Sequence, residues 1–202
     1  MIAGFRKSTV YCNGVDLSVH RAGQGEPLLL LHGFPQNHMC WERVAPQLAR
    51  HHDVIIPDLR GYGESEAPPN ESGNTTYSKR TMAQDIADLL TVLAIQRANV
   101  LGHDRGARVA YRFALDHPER INKLGIIEIV PTADFWANWT ADLAILAYHW
   151  TFLAQPAPLP ERMIGADPVA YLDWTLAQWT LRKNLDTLSP AALASYRKQV
   201  QN

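Results

Sequence analysis

"VLGHDRGARVAYRFA", Val100 to Ala114, sets the reading of the whole chain. "ANVLG" closes an apolar run, Gly102 to Gly106 is rich enough in glycine for a tight turn, and "ARVAYRFALDHP" has helical spacing. The stretch therefore predicts strand, turn, helix. Upstream, "PLLLLH" (27–32) and "DVIIPD" (53–58) read as strands buried on both faces. Met82, Ile86, Leu89, Leu90 and Leu93 recur at helical spacing, which predicts a helix over "KRTMAQDIADLLTVLA" (79–94). "CWERVAPQLA" (40–49) predicts a short amphipathic helix and "KLGIIEIV" (123–130) a further strand. Strands that alternate with helices imply an α/β fold, a mostly parallel sheet with helices on both faces. At the start, "STVYC" (8–12) and the alternating "GVDLSVHRAG" (14–23) add exposed strands. "LRGYGESEAPPNESGNTTYS" (59–78) is a long loop, and such loops in compact domains are often functional.

The pattern changes after Pro131. "ADFWANWTADLAILAYHWTFLAQ" (133–155) is helical and aromatic-rich, "PAPLPERMIG" (156–165) reads as a proline-rich connection, and "PVAYLDWTLAQWTLRK" (168–183) and "SPAALASYRKQVQ" (189–201) are further helices. Residues 1–131 are thus expected to form an α/β core and 132–202 an all-helical cap.

With 47% hydrophobic and 19% charged residues and a net charge of −1, the composition is that of a globular protein, without the basic stripe of a nucleic-acid binder. Cys12 and Cys40 stand far apart in no ligand spacing and are expected to be reduced thiols in a cytoplasmic protein. "MIAGFRKSTV" lacks the apolar core of a signal peptide, and "PLLLLHGF" is too short to span a bilayer. Neither a dinucleotide nor a phosphate-loop motif is present, His51 and His52 lack metal-ligand spacing and read as surface residues, and no metal or cofactor is expected.

Gly102-x-Asp104-x-Gly106 has the layout of a nucleophile elbow, G-x-S-x-G, with Asp in place of Ser. The glycines matter because the central residue sits in strained backbone, where neighbouring Cβ atoms would clash. The turn presents the side chain beside a helix N-terminus, which favours an ionised carboxylate. A serine there attacks carbonyls; a carboxylate suits displacement at saturated carbon, with an ester formed on the enzyme. Read alone, the same pattern is also a common turn with an Asp N-cap. "HGFP" (32–35) follows a buried strand and can aim the Phe34 N–H toward the elbow, with His32 supporting the turn. The Arg105 N–H would be a second donor, and two converging amides make an oxyanion hole. Arg105 and Arg108, three residues apart on the first helical turn, put two cations where the helix dipole opposes them, so an anion such as a substrate carboxylate is expected between them. Bridges to surface carboxylates are the plainer alternative.

Together "HGFP", "DLRGYGES" and "GHDRG" resemble the α/β-hydrolase superfamily, in its haloalkane dehalogenase and epoxide hydrolase branch. The likeness covers essentially the whole chain. "YHWTFLAQPAPLPE" (148–161) is similar to the cap segment of fluoroacetate dehalogenases, which also carry the D-R-x-x-R element. The resemblance implies that Asp104 is the nucleophile, that Arg105 and Arg108 hold the substrate carboxylate, and that His149 and Trp150 donate N–H bonds to the departing halide. As residues, both could equally be core aromatics. In those dehalogenases an Asp stands where this chain has Glu128, the expected acid partner of the catalytic His; a solvated strand-end carboxylate is the alternative.

That histidine follows the last core strand in this superfamily, whereas the last histidine here is His149. The pattern implies that the chain is C-terminally truncated, with roughly 60–100 further residues to come, by the usual lengths of strands, helices and loops. Three functions are expected in order. The first is a hydrolase of a small halogenated carboxylate, with no nucleic acid or membrane partner and a homodimer when full length. The second is an epoxide hydrolase using Tyr148 and Tyr171, in which the paired arginines have no role. The third is an inactive fragment that lacks its base, in which an ester on Asp104 would persist.

Overall fold

The computed structural model describes residues 1–71 and 73–201, which divide into two compact units: Met1–Ile129 with Pro190–Gln199, and Val130–Ser189 with the residues after 199. The first unit carries a six-stranded sheet, β1 (Arg6–Cys12), β2 (Val15–Ala22), β3 (Glu26–Leu31), β4 (His52–Pro57), β5 (Ala98–His103) and β6 (Ile121–Ile127), in the order β1-β2-β4-β3-β5-β6. β3, β4, β5 and β6 run parallel, and β1 and β2 add an antiparallel hairpin at one edge. Asn13 and Gly14 close that hairpin with positive φ at both positions, the requirement of a two-residue turn between twisted strands.

α1 (Ala45–Leu48), α2 (Lys79–Val92) and α3 (Arg105–Asp116) connect the strands. α2 starts where the Ser78 hydroxyl accepts the Thr81 N–H, and it buries Met82, Ile86, Leu89 and Leu90, the stripe that the spacing predicts. These side chains join Leu29, Leu31, Ile55, Val100, Val109 and Phe113 in one core between the helices and the sheet. The expected helix over 40–49 is instead a tight 3₁₀ turn, His38–Trp41, followed by the short α1 with Pro46 in its first turn. Proline is accepted there but lacks the N–H that a continuous helix would need. The last strand begins two residues earlier than expected and stops at Ile127.

The second unit is helical: α4 (Thr132–Ala137), α5 (Ala141–Leu146), α6 (Tyr148–Phe152), α7 (Leu159–Ala166) and α8 (Pro168–Gln178). The sequence suggests one long helical stretch over 133–155, but the Thr140 hydroxyl accepts the Leu143 N–H and starts a new helix there. The expected connection over 156–165 contains α7, whose Pro160 sits in the first turn where proline costs nothing. α9 (Pro190–Gln199), expected with the other helices of 132–202, groups with the first unit, where Tyr196 is buried. No described helix is long and apolar enough to cross a membrane.

Candidate functional site

The elbow joins β5 to α3. Asp104 sits at φ +47°, ψ −117°, a backbone state that L-residues rarely adopt and that surrounding contacts must enforce. The glycines permit those contacts. A Cβ on Gly102 would lie 2.5 Å from the Ala107 Cα, and one on Gly106 would lie 2.4 Å from the carbonyl oxygens of Leu31 and His32. The Asp104 N–H donates to the Ile127 carbonyl at 3.2 Å and its carbonyl accepts the Arg108 N–H at 3.1 Å, so β6 and α3 fix the turn from both sides.

The loop after β3 meets the elbow face on. The Phe34 N–H donates to Asp104 Oδ1 at 2.7 Å, the charge-assisted range. Gly33 makes that approach possible, since a Cβ there would stand 2.5 Å from the Asp104 Cβ. His32, fully buried, supports the loop as expected: its Nε2 accepts the Leu59 N–H at 3.0 Å, which leaves Nδ1–H to donate to the Gly33 carbonyl at 3.0 Å. Burial holds the ring's pKa down and keeps it neutral. Arg105 opens α3, so its N–H is among the donors that no helical carbonyl satisfies.

Both arginines lie at the same turn. The Arg105 guanidinium stacks over the Phe34 ring, 4.9 Å from its centroid, and its charge acts on the buried Tyr62 hydroxyl. Arg108 is only 6% exposed and hydrogen-bonds Tyr111, one helical turn ahead. Burial pushes the Arg108 pKa down, and the Asp104 charge opposes that shift. A third cation lies within electrostatic reach of the same carboxylate. Lys79, at the start of α2, rests its Nζ 3.3 Å from the Met82 sulfur and feels Arg105, Arg108 and Asp104. Burial and then the two arginines lower its pKa to about 8.

Glu128 lies just past β6 at φ +58° rather than in the strand, with its side chain largely exposed. Its carboxylate meets the ring of His103 at 3.1 Å. His149 and Trp150 lie in α6 of the second unit, half-buried in an aromatic cluster: Trp150 lies against Phe135 at 4.2 Å and His149 against Trp179 at 5.0 Å, centroid to centroid. The structure thus brings together Phe34, Asp104, Arg105 and Arg108 within the first unit, pairs Glu128 with His103, and carries His149 and Trp150 in the other. Tyr62, Tyr111 and Lys79 escape the sequence reading. Tyr111 carries a signal in its spacing from Arg108; Tyr62 and Lys79 lie at opposite ends of the loop over 59–78 and carry none.

His51 is exposed as expected, but His52 opens β4 and is half-buried. Cys12 and Cys40 are both free thiols. One group of metal-ligating side chains gathers among the described residues, the buried His20, His38 and Asp58. The two imidazoles stack at 3.7 Å with planes 18° apart, and His38 Nδ1 is 2.9 Å from Asp58. Nitrogens in near-parallel planes cannot both aim at one ion, so this stack is a poor metal site.

A model of the alpha/beta hydrolase fold matches residues 26–201. The chain belongs to the alpha/beta hydrolase family. Among this hydrolase's curated relatives, a fluoroacetate dehalogenase from Burkholderia sp. is 42% identical over 98% of the chain, and a soluble epoxide hydrolase from Corynebacterium sp. (strain C12) is 43% identical over 91%. The chain spans 65% of the first and 63% of the second. Among solved structures, a protein from Pseudomonas aeruginosa described as a candidate epoxide hydrolase superposes with a TM-score of 0.94 at 45% identity, covering 100% of the chain and 66% of that protein.

Proposed function

We propose that this alpha/beta hydrolase cleaves the carbon–halogen bond of haloacetates, fluoroacetate foremost, through an ester on Asp104. The 2.7 Å bond from the Phe34 N–H to Asp104 Oδ1, with two arginines on the same turn, is the observation that supports it best. That bond occupies Oδ1 and leaves Oδ2 as the attacking oxygen. Its lone pair forms the C–O bond of the ester as the carbon–halogen bond breaks, and the halide leaves with the bonding electrons. Water then adds to the ester carbonyl, and the oxyanion is held by the N–H groups of Phe34 and Arg105. Collapse returns the carboxylate and releases the 2-hydroxy acid and a proton.

The substrate is an anion that must approach an anionic nucleophile. Arg105 and Arg108 offset that repulsion and grip the substrate carboxylate in a half-buried site, where charge–charge terms exceed those in water. The second unit is read as the cap, with His149 and Trp150 donating to the halide. Glu128 is assigned to support the histidine that activates water, and that base is assigned to no residue of this chain. The chemistry requires no metal or cofactor, and the protein is read as cytoplasmic with a small-molecule substrate. The equal identity to an epoxide hydrolase favours a second reading, with the same nucleophile opening an oxirane and Tyr148 and Tyr171 supplying protons.

Mass spectrometry of peptides after incubation with fluoroacetate in heavy-oxygen water tests the proposal. The Asp104 peptide should carry a carboxymethyl ester if hydrolysis is slow, or heavy oxygen if it is fast. Asp104→Asn should carry neither. Marks that appear only with an epoxide would favour the second reading, and marks that survive in Asp104→Asn would refute both.

A further inference from the structure

We infer that Gln199 is a positioning residue for the elbow, its carboxamide tying the loop that presents the Phe34 N–H to the loop that presents Tyr62. The inference rests on the reading of Asp104 as nucleophile. Gln199 ends α9, far from the elbow in sequence, yet its Oε1 accepts the Gly63 N–H at 2.6 Å and its Nε2 donates to the Pro35 carbonyl at 3.1 Å. A peptide N–H can only donate and a carbonyl can only accept, so the amide seats one way round.

Each bridged atom lies one residue from a group at the elbow. Pro35 follows Phe34, which donates to Asp104, and Gly63 follows Tyr62, whose hydroxyl interacts electrostatically with Arg105. The same two loops meet once more at the buried Asp58, whose Oδ1 accepts the His38 N–H at 2.7 Å and whose Oδ2 accepts the Glu64 N–H at 3.1 Å. α9 also reaches the first loop through Ser195, whose hydroxyl accepts from the Asn37 amide at 3.0 Å. Asp58 fixes the loops at their base, and Gln199 fixes them beside the groups that face Asp104. Two loops joined at both points move as one body, so the nucleophile's donor and the arginine's support keep their spacing. Catalysis is sensitive to that spacing at the scale of about 1 Å.

Amide hydrogen exchange by NMR on the ¹⁵N-labelled chain tests this. Gln199→Met removes both bonds at similar volume. The Phe34 and Gly63 amides should then exchange about tenfold faster, the equivalent of one lost hydrogen bond, while Leu30 and Leu31 in β3 stay as they are. Gln199→Glu keeps the acceptor for Gly63 but loses the donor to Pro35, so Gly63 should stay protected while Phe34 moves. Unchanged Phe34 exchange in Gln199→Met would overturn the inference. So would a rise shared equally by Leu30 and Leu31, which would make Gln199 a general stabiliser. Asp104→Ala, which removes the acceptor, separates this failure from that of the functional reading. If Phe34 is indifferent to Asp104→Ala, the pairing at the elbow is absent and both fall. If Phe34 responds to Asp104→Ala and not to Gln199→Met, only the inference falls.

Discussion

Arg108 is nearly out of water, and its removal should be felt by charge before shape. Arg108→Leu keeps much of the buried stem and deletes the guanidinium. Binding of fluoroacetate, followed by calorimetry, should weaken by about 1.5–3 kcal/mol, the worth of a charge-assisted bond, while neutral fluoroacetamide changes little. Equal losses for both would assign Arg108 to packing. His20 has a different consequence. It is 1% exposed, both ring nitrogens lack a partner among the described residues, and burial, then the stacked His38, lowers its pKa from 6.5 to about 4. Below pH 6.5 the unfolded chain takes up a proton that the folded one refuses until about pH 4. Stability should therefore fall as pH drops through that window, by on the order of 3 kcal/mol, and stay level with respect to this group below it. His20→Leu should flatten that slope in urea titrations run at successive pH values; an unchanged slope would clear His20 of the effect. Asp104 is legible in the sequence because glycines two residues to either side frame it. His20 is not, because nothing in an alternating strand says which polar residue will be stacked under a loop.

Elements carry the elbow's strain. α3 begins against the end of β3 with no room for a side chain at Gly106, whose Cβ would meet backbone oxygen, an atom that cannot swing aside. Gly106→Ala should destabilise the protein by about 3 kcal/mol or more, read as a shifted urea midpoint. Gly165→Ala in α7 provides the contrast. Nothing lies within 4 Å of a Cβ there, and alanine favours the helix, so the midpoint should hold or rise by up to about 1 kcal/mol. If both variants behaved alike, close approach would not be the reason for the glycine at 106. The strands, α2 and α3 are legible because periodicity and burial agree along them. The break between α4 and α5 is not, because one hydroxyl at Thr140 outweighs an apolar pattern that runs on through it; the break at Ala147 has no side-chain cap to mark it. α7 is hidden by its prolines, whose effect reverses between a helix's first turn and its interior.

Across the described residues as a whole, β6 ends the six-stranded sheet, and Leu124, Ile126 and Ile127 on it are 38%, 45% and 39% exposed. An edge with apolar side chains invites pairing with another chain. Sedimentation should show association that grows with concentration, and Ile126→Lys should suppress it without moving the thermal midpoint. Identical sedimentation of the two proteins would rule the edge out as its cause. The placement of α9 belongs to this scale too. A short helix of ordinary composition offers no mark in sequence that it returns to the first unit, because its polar partners are loop atoms, the Gly63 N–H, the Pro35 carbonyl and the Asn37 amide. That return separates Gln199 from Pro35 by 164 residues. At typical ribosomal rates the interval lasts roughly 10–30 s. Throughout it the nascent chain holds the Phe34 loop without its tie, so chaperone contacts and co-translational proteolysis at that loop have a defined window, which closes when α9 emerges.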